Sequence, residues 1–266
     1  MNAQLRTDAY STGPFSMDEL TERDRLLLLE QTKDPATIHA LESLPLLETW
    51  RCLEIGAGAG SIAHWLGERC PQGHVIAADI DTRNLDPHRS PNVEGQEVDI
   101  STHTFAPSSF DLIHARAVLC HLPARDEILA RALEWLAPGG WLLVEDVYTL
   151  PVGSSPYTAM NHYAAAARHA AQARGADMQW GSKIPGILAT LGFGNVTAES
   201  QLRLVGTGGA LDDLWRINLQ QAGRHLVRDG HLAQNDLDAC LALLDDPNFT
   251  DIRYIGITAR GQKLPA

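Results

Sequence analysis

The sequence predicts an α/β protein: a mostly parallel sheet with helices on both faces, extended by a helical lid. Three observations lead there. Residues 51 to 80 run as a short apolar strand, a glycine-rich loop, a helical rhythm and a second strand, which is a βαβ unit. The alternation of strand and helix continues to Val147, as expected of parallel strands joined by right-handed crossovers. Beyond Val147, long helical segments have no role in continuing the sheet.

Taken in order, residues 1 to about 16 are polar and contain Gly13 and Pro14, which marks a poorly regular arm. "SMDELTERDRLLLLEQTKDPATIHALESL" is expected to form two helices, with Ser16 or Asp18 capping the first and Pro35 opening the second. "RCLEI" is a buried strand, and "SIAHWLGERC" takes up a helical rhythm through Ile62, Trp65 and Leu66. "HVIAADI", "EGQEVDI" and "FDLIHARAVL" supply strands two to four. "PARDEILARALEWLAPGG" is a helix with a Pro-Gly-Gly stop, and "WLLVEDV" is the fifth strand. An alanine-rich helix in "SSPYTAMNHYAAAARHAAQARGADMQW" and a helix in "IPGILATLGF" come next. The last two strands, "NVTAESQLRLV" and "DIRYIGITARGQ", are separated by two more helices. The expected organisation is an N-terminal helical lid or arm over 1–50 and a core over 51–266, with lid insertions at about 148–183 and 206–250.

Composition narrows the function. The 266 residues are 44% hydrophobic and 20% charged, ordinary for a globular enzyme. A net charge of -12, with no cluster of Lys or Arg, disfavours nucleic acid as a partner. No apolar run approaches the roughly 18 residues that span a bilayer, and no basic start precedes an apolar one, so neither membrane nor export is expected. Cys52, Cys70, Cys120 and Cys240 form no C-x-x-C pair, which fits a reduced cytoplasm. The pairs His114 and His121, and His162 and His169, lack ligand spacing, and no metal is expected.

The loop "EIGAGAGSIA" can be counted two ways. From Gly58, the positions Gly58, Gly60 and Ala63 satisfy a dinucleotide fingerprint; from Glu54 it reads E-x-G-x-G-x-G. The strand ends at Ile55, so Gly56 is the first glycine of the turn, and Ser61 then breaks the dinucleotide form. Glycines there let a ligand approach the backbone, and a helix N-terminus behind them offers N–H groups. Asp79, at the end of the next strand, stands where a carboxylate accepts ribose hydroxyls; Asp81 is held in reserve.

Read from Glu54, the chain resembles class I S-adenosylmethionine-dependent methyltransferases over about 50 to 150, and most of all bacterial small-molecule enzymes of secondary metabolism and antibiotic biosynthesis. The resemblance implies a Rossmann-like, seven-stranded, mostly parallel sheet with its last strand antiparallel. It also implies S-adenosylmethionine as cofactor, with S-adenosylhomocysteine as product. It assigns Glu54, Gly56, Ala57, Gly58 and Gly60 to the cofactor loop, Asp79 to the ribose with Ile80 beside it at the cofactor, and Asp99 and Ile100 to the adenine. Arg116, past the fourth strand, would pair with the methionine carboxylate or a substrate anion, and Tyr10 from the arm and Gln31 from the next helix would reach the cofactor.

Methyl transfer is an in-line displacement that needs alignment, exclusion of water and sometimes a base. His121, just beyond the fourth strand, is the candidate base; His162, on the lid helix with His169 seven residues along the same face, is the second. Tyr157, Trp180 and Trp215 are candidate walls of an apolar acceptor pocket, whereas Trp65, Trp135 and Trp141 read as packing. Glu145 and Asp146 close the fifth strand near the expected site. "RAVLCHLP" stands where nucleic-acid and glutamine amino-methyltransferases carry [DN]-P-P-[YF], which disfavours those targets. The expected reaction moves a methyl group to a small-molecule or short-peptide acceptor, at a hydroxyl or carboxyl oxygen of a natural product, with a homodimer as one assembly. A non-methylating cyclase or pericyclic catalyst, or a cofactor-binding regulatory subunit, is the alternative.

Overall fold

A computed structural model describes residues 13–16 and 18–265. Its seven strands are β1 (Arg51–Ile55), β2 (His74–Asp79), β3 (Val93–Glu97), β4 (Phe110–Arg116), β5 (Leu136–Thr149), β6 (Gly194–Val205) and β7 (Asp251–Gln262). They lie in one sheet in the order β3-β2-β1-β4-β5-β7-β6. β1 to β5 pair in parallel, and β7 runs antiparallel to both β5 and β6. The chain leaves β1 toward β2 on one side, and β4 lies on the other. That reversal of strand order opens a crevice at the carboxyl ends of β1 and β4.

Alternation along the strands builds two apolar layers. Leu53 and Ile55 of β1 face one layer with Ile113 and Val144, packed by α3 (Arg125–Trp135) and α5 (Ile184–Leu191). Cys52, Val75, Leu112 and Leu143 face the other, under Ile62, Ala63 and Leu66 of α2 (Ser61–Arg69). Further helices α4 (Thr158–Ala173), α6 (Ala210–Arg228) and α7 (Gln234–Leu243) share a separate cluster with Met160, Tyr163, Leu219, Leu237 and Phe249. Helix α1 (Glu22–Glu42) packs between this helical cap and α2.

Two local expectations are corrected. The N-terminal helical region is one helix, α1, and Pro35 lies inside it. Proline removes one intrahelical bond. The helix is fastened to the sheet on both sides of it, by Asp34 to Arg116 and by Thr37 to Glu145, so tertiary contacts hold it together. The helix α3 ends at Trp135, and "LAPGG" belongs to β5, because Gly139 and Gly140 pair with Lys263 beyond β7.

The aromatic assignments divide. Trp135 is buried in the first layer, and Trp65 and Trp141 pack on the second. Trp180 is also core, its indole N–H donating to Asp126 Oδ1 at 3.1 Å, and so does not wall a pocket. Tyr157 and Trp215 pack against the cap's own cluster. No helix among the described residues is long and apolar enough to cross a membrane.

Candidate active site

The chain turns sharply after Ile55, and Gly56, Gly58 and Gly60 adopt φ of +71°, +59° and +92°, the left-handed region that favours glycine. Each has a different spatial reason. A Cβ on Gly56 would stand 2.1 Å from Val118 Cγ2. One on Gly60 would stand 2.3 Å from Leu85 Cδ1. On Gly58 it would meet only Leu26 Cδ2, at 3.6 Å, and would project into a cleft. Gly60 is therefore a packing and helix-start residue that does not line the cleft, whereas Gly58 keeps backbone accessible there. Gly56→Ala is expected to destabilise the fold by about 1–3 kcal/mol, measured as a lower urea midpoint.

The cleft encloses about 1060 Å³, counting its open mouth, at the carboxyl ends of β1, β2 and β4. Glu54, Gly56, Ala57, Gly58, Asp79, Ile80, Asp99, Ile100, Arg116 and His121 all line it. Asp79 Oδ2 accepts the Gly58 N–H at 2.8 Å, and Oδ1 accepts the Asp81 N–H at 3.1 Å. Burial pushes the Asp79 carboxyl up to about 6 despite these donors. Asp81 turns away, onto Arg83. Asp99 Oδ1 accepts the Ser101 N–H at 2.8 Å.

Across the cleft stands α1. Leu26, Leu29 and Glu30 line it, at the i, i+3, i+4 spacing of one helix face. Glu30 Oε1 accepts the Ser61 N–H at 3.1 Å, and burial raises its carboxyl above the usual range. Arg116 donates to Thr37 Oγ1 and pairs with Asp34, both at 2.8 Å, so it faces the cleft while anchored to α1. Beneath it, His114 is fully buried, 2.7 Å from Glu54 and 3.4 Å from Glu145. Asp146 Oδ2 accepts the Cys120 N–H at 2.9 Å and so fixes the short turn that presents His121.

Three expected site residues are not brought to the cleft. Gln31 is exposed, about 100° around α1 from Glu30. His162 is more than half exposed and pairs with Asp236 of α7, because Met160, Tyr163 and Ala166 turn the other face of α4 into the cap. Gly60 is the third, for the packing reason given above. Tyr10 lies outside the described residues. His114, Glu30 and Asp34 join the site without a sequence motif that marks them. A histidine inside the apolar run "DLIHA" was a signal, since a buried polar group requires partners.

A glycine turn and two strand-end acids at a topological switch point define an α/β enzyme fold with a nucleoside-type ligand cleft. A methyltransferase-domain family matches residues 17–197, and the chain belongs to that family. Methyltransferase str3 of Strobilurus tenacellus is 39% identical over 110 residues, 41% of this chain and 39% of that protein. A trans-aconitate 2-methyltransferase of Variovorax paradoxus is 31% identical over 107 residues, 40% of this chain and 41% of that protein. The match thus spans well under half of these relatives' length. Phosphoethanolamine N-methyltransferase 2 of Haemonchus contortus, bound to phosphomonomethylethanolamine and S-adenosylhomocysteine, superposes with a TM-score of 0.62 at 17% identity, over 94% of this chain and 59% of that one.

Proposed function

We propose that this protein transfers a methyl group from S-adenosylmethionine to an oxygen of a small organic acid. The observation that carries the reading is the open face of Gly58 beside Asp79, which leaves backbone and a carboxylate facing one cleft. The residues fit the donor: Asp79 for ribose hydroxyls, Asp99 and Ile100 for adenine, and Glu54 and Arg116 for the ammonium and carboxylate of its methionine end. S-adenosylmethionine supplies the electrophilic methyl group. The cap, with α1, acts as a lid that excludes water.

His121 bears on the acceptor. Burial first, and then Arg25, Arg174 and Arg125, push its ring down to about 4. It is neutral at pH 7 but a weak base, so removing a proton from a phenol of pKa about 10 is strongly uphill. The sequence-based role of His121 as a base is therefore replaced by an orienting one. A carboxylate needs no deprotonation, which fits a site whose histidine is so weak a base. The small-acid acceptor of the trans-aconitate relative supports the same class.

The reading is tested by incubating the protein with S-adenosylmethionine and a panel of small carboxylic acids, following S-adenosylhomocysteine and a mass gain of about 14 Da, a methyl group in place of a proton, as expected of methyl transfer. A product formed without S-adenosylhomocysteine overturns transfer and favours the cyclase alternative. With an acid acceptor, kcat is expected to show no ionisation near pH 6.5, and His121→Phe to raise the acceptor KM more than it lowers kcat. A hundredfold loss of kcat on a hydroxyl acceptor, about the contribution of a working general base, would restore the base role.

A further inference from the structure

We propose that His114 is the positioning residue of the donor site: clamped between Glu54 and Glu145, it aims the Glu54 carboxylate into the cleft and couples it to helix α1. The proposal rests on the S-adenosylmethionine reading above.

Strand register sets the arrangement. His114 lies directly opposite Glu54 in the parallel β1–β4 pair, so both side chains leave the same face of the sheet. Glu145 follows two residues after Leu143, the β5 partner of His114, and so shares that face. Nδ1 is 2.7 Å from Glu54 Oε2 and Nε2 is 3.4 Å from Glu145 Oε2. A neutral imidazole has one donor nitrogen and one acceptor, whereas both partners here are carboxylates; only the imidazolium donates from both sides. Burial disfavours that charge, but the two carboxylates outweigh it and raise the ring to about 9. For Glu145 burial pushes upward, and His114 with the Thr37 and Thr258 hydroxyls outweighs it, down to about 2.

From Glu145 the chain of polar contacts runs outward without a gap. Its Oε1 accepts the Thr258 hydroxyl of β7 at 2.7 Å, and its Oε2 accepts the Thr37 hydroxyl of α1. Thr37 in turn accepts from Arg116, which pairs with Asp34, and Asp34 accepts the Ser61 hydroxyl at 3.1 Å. The groups in contact with His114 are Glu54 from β1 and Glu145 from β5; Thr37 of α1 touches Glu145, and Arg116, two residues further along β4, touches Thr37. Ser61 opens α2 behind the glycine loop, so Asp34 ties α1 to that loop, and His114 joins Glu54 to the same network through Glu145. Without the imidazolium, Glu54 and Glu145 would be left as like charges in a buried site, and one of them would take up a proton.

The test is calorimetry on the full chain with two ligands: S-adenosylmethionine, and 5′-methylthioadenosine, which shares the nucleoside but lacks the amino-acid end. His114→Gln is expected to weaken S-adenosylmethionine about tenfold or more while leaving methylthioadenosine within about twofold. Unchanged affinities, or equal losses for both ligands, overturn the positioning role. If the variant does not fold, nitrogen NMR of the wild-type histidines decides: His114 is expected to carry two protonated nitrogens at about pH 7.5, and a ring titrating near its ordinary 6.5 overturns the proposal. A wild-type protein that binds methylthioadenosine but not S-adenosylmethionine overturns the donor reading, and this proposal with it.

Discussion

Asp79→Ala is expected to lower the affinity for S-adenosylmethionine by about ten- to hundredfold, the equivalent of a hydrogen bond to a charged group at about 1.5–3 kcal/mol. The carboxylate does two things at once. It holds the glycine loop through the Gly58 N–H, and it keeps acceptor capacity facing the cleft for ribose hydroxyls. Because burial raises this carboxyl to about 6, its ionised form is scarce below that pH, and hydroxyl donors favour the ionised form. Affinity should therefore weaken as pH falls from 8 to 5, and binding at the acid end should release protons. Asp79→Asn separates the two roles, since its amide oxygen can still hold Gly58. Calorimetry showing an unchanged dissociation constant in the alanine variant would sink the ribose assignment.

The buried imidazolium of His114 is expected to account for a fall in stability of about 2–3 kcal/mol between pH 7 and pH 10, read from urea midpoints, as it loses its proton. The folded ring titrates near 9 and the unfolded ring near 6.5. A raised folded pKa contributes stability that is complete below the unfolded value and is lost as pH rises through the folded one. The window is clean on its acid side. Asp79 and Asp146 titrate near 6, His121 near 4 and Glu145 near 2, all below it. Glu145 adds the opposite limb: its lowered pKa contributes stability above about 4.5 that disappears as pH falls through about 2. Burial also holds the Cys120 and Cys240 thiols above their ordinary range, so they add a loss of their own above about pH 8.5; His114→Gln should remove the part of the limb that begins at pH 7, and an unaltered slope there would assign that part to another group.

How far the site could be read from the sequence depended on whether a residue's place follows from its neighbours in the chain. Glu54, Gly56, Gly58 and Asp79 belong to one strand–turn–helix–strand unit. There the end of β1 sets the first glycine and the end of β2 sets the acid, and all four face the cleft. Asp99 and Arg116 follow because parallel strands present their carboxyl ends on one side. Gln31 illustrates the opposite case. Its neighbour Glu30 faces the cleft because Asp34 and Thr37, further along α1, are fastened to Arg116 and Glu145, residues about 80 and 110 positions away.

His162 faces away from the cleft for the same reason: the contacts that choose the inward face of α4 come from α6, α7 and Phe249. The surroundings of His121 were likewise hidden, since Arg25 of α1, Arg125 of α3 and Arg174 at the end of α4 act on that ring only in three dimensions. The sequence by itself determined the α/β architecture, the glycine turn and the two strand-end acids, because periodicity and glycine geometry act over a few residues. Only the tertiary structure decided that α1 is one helix, which of its faces meets the cleft, and that His114 sits charged between two carboxylates. Those outcomes depend on pairings between distant segments, whose energies no local pattern encodes.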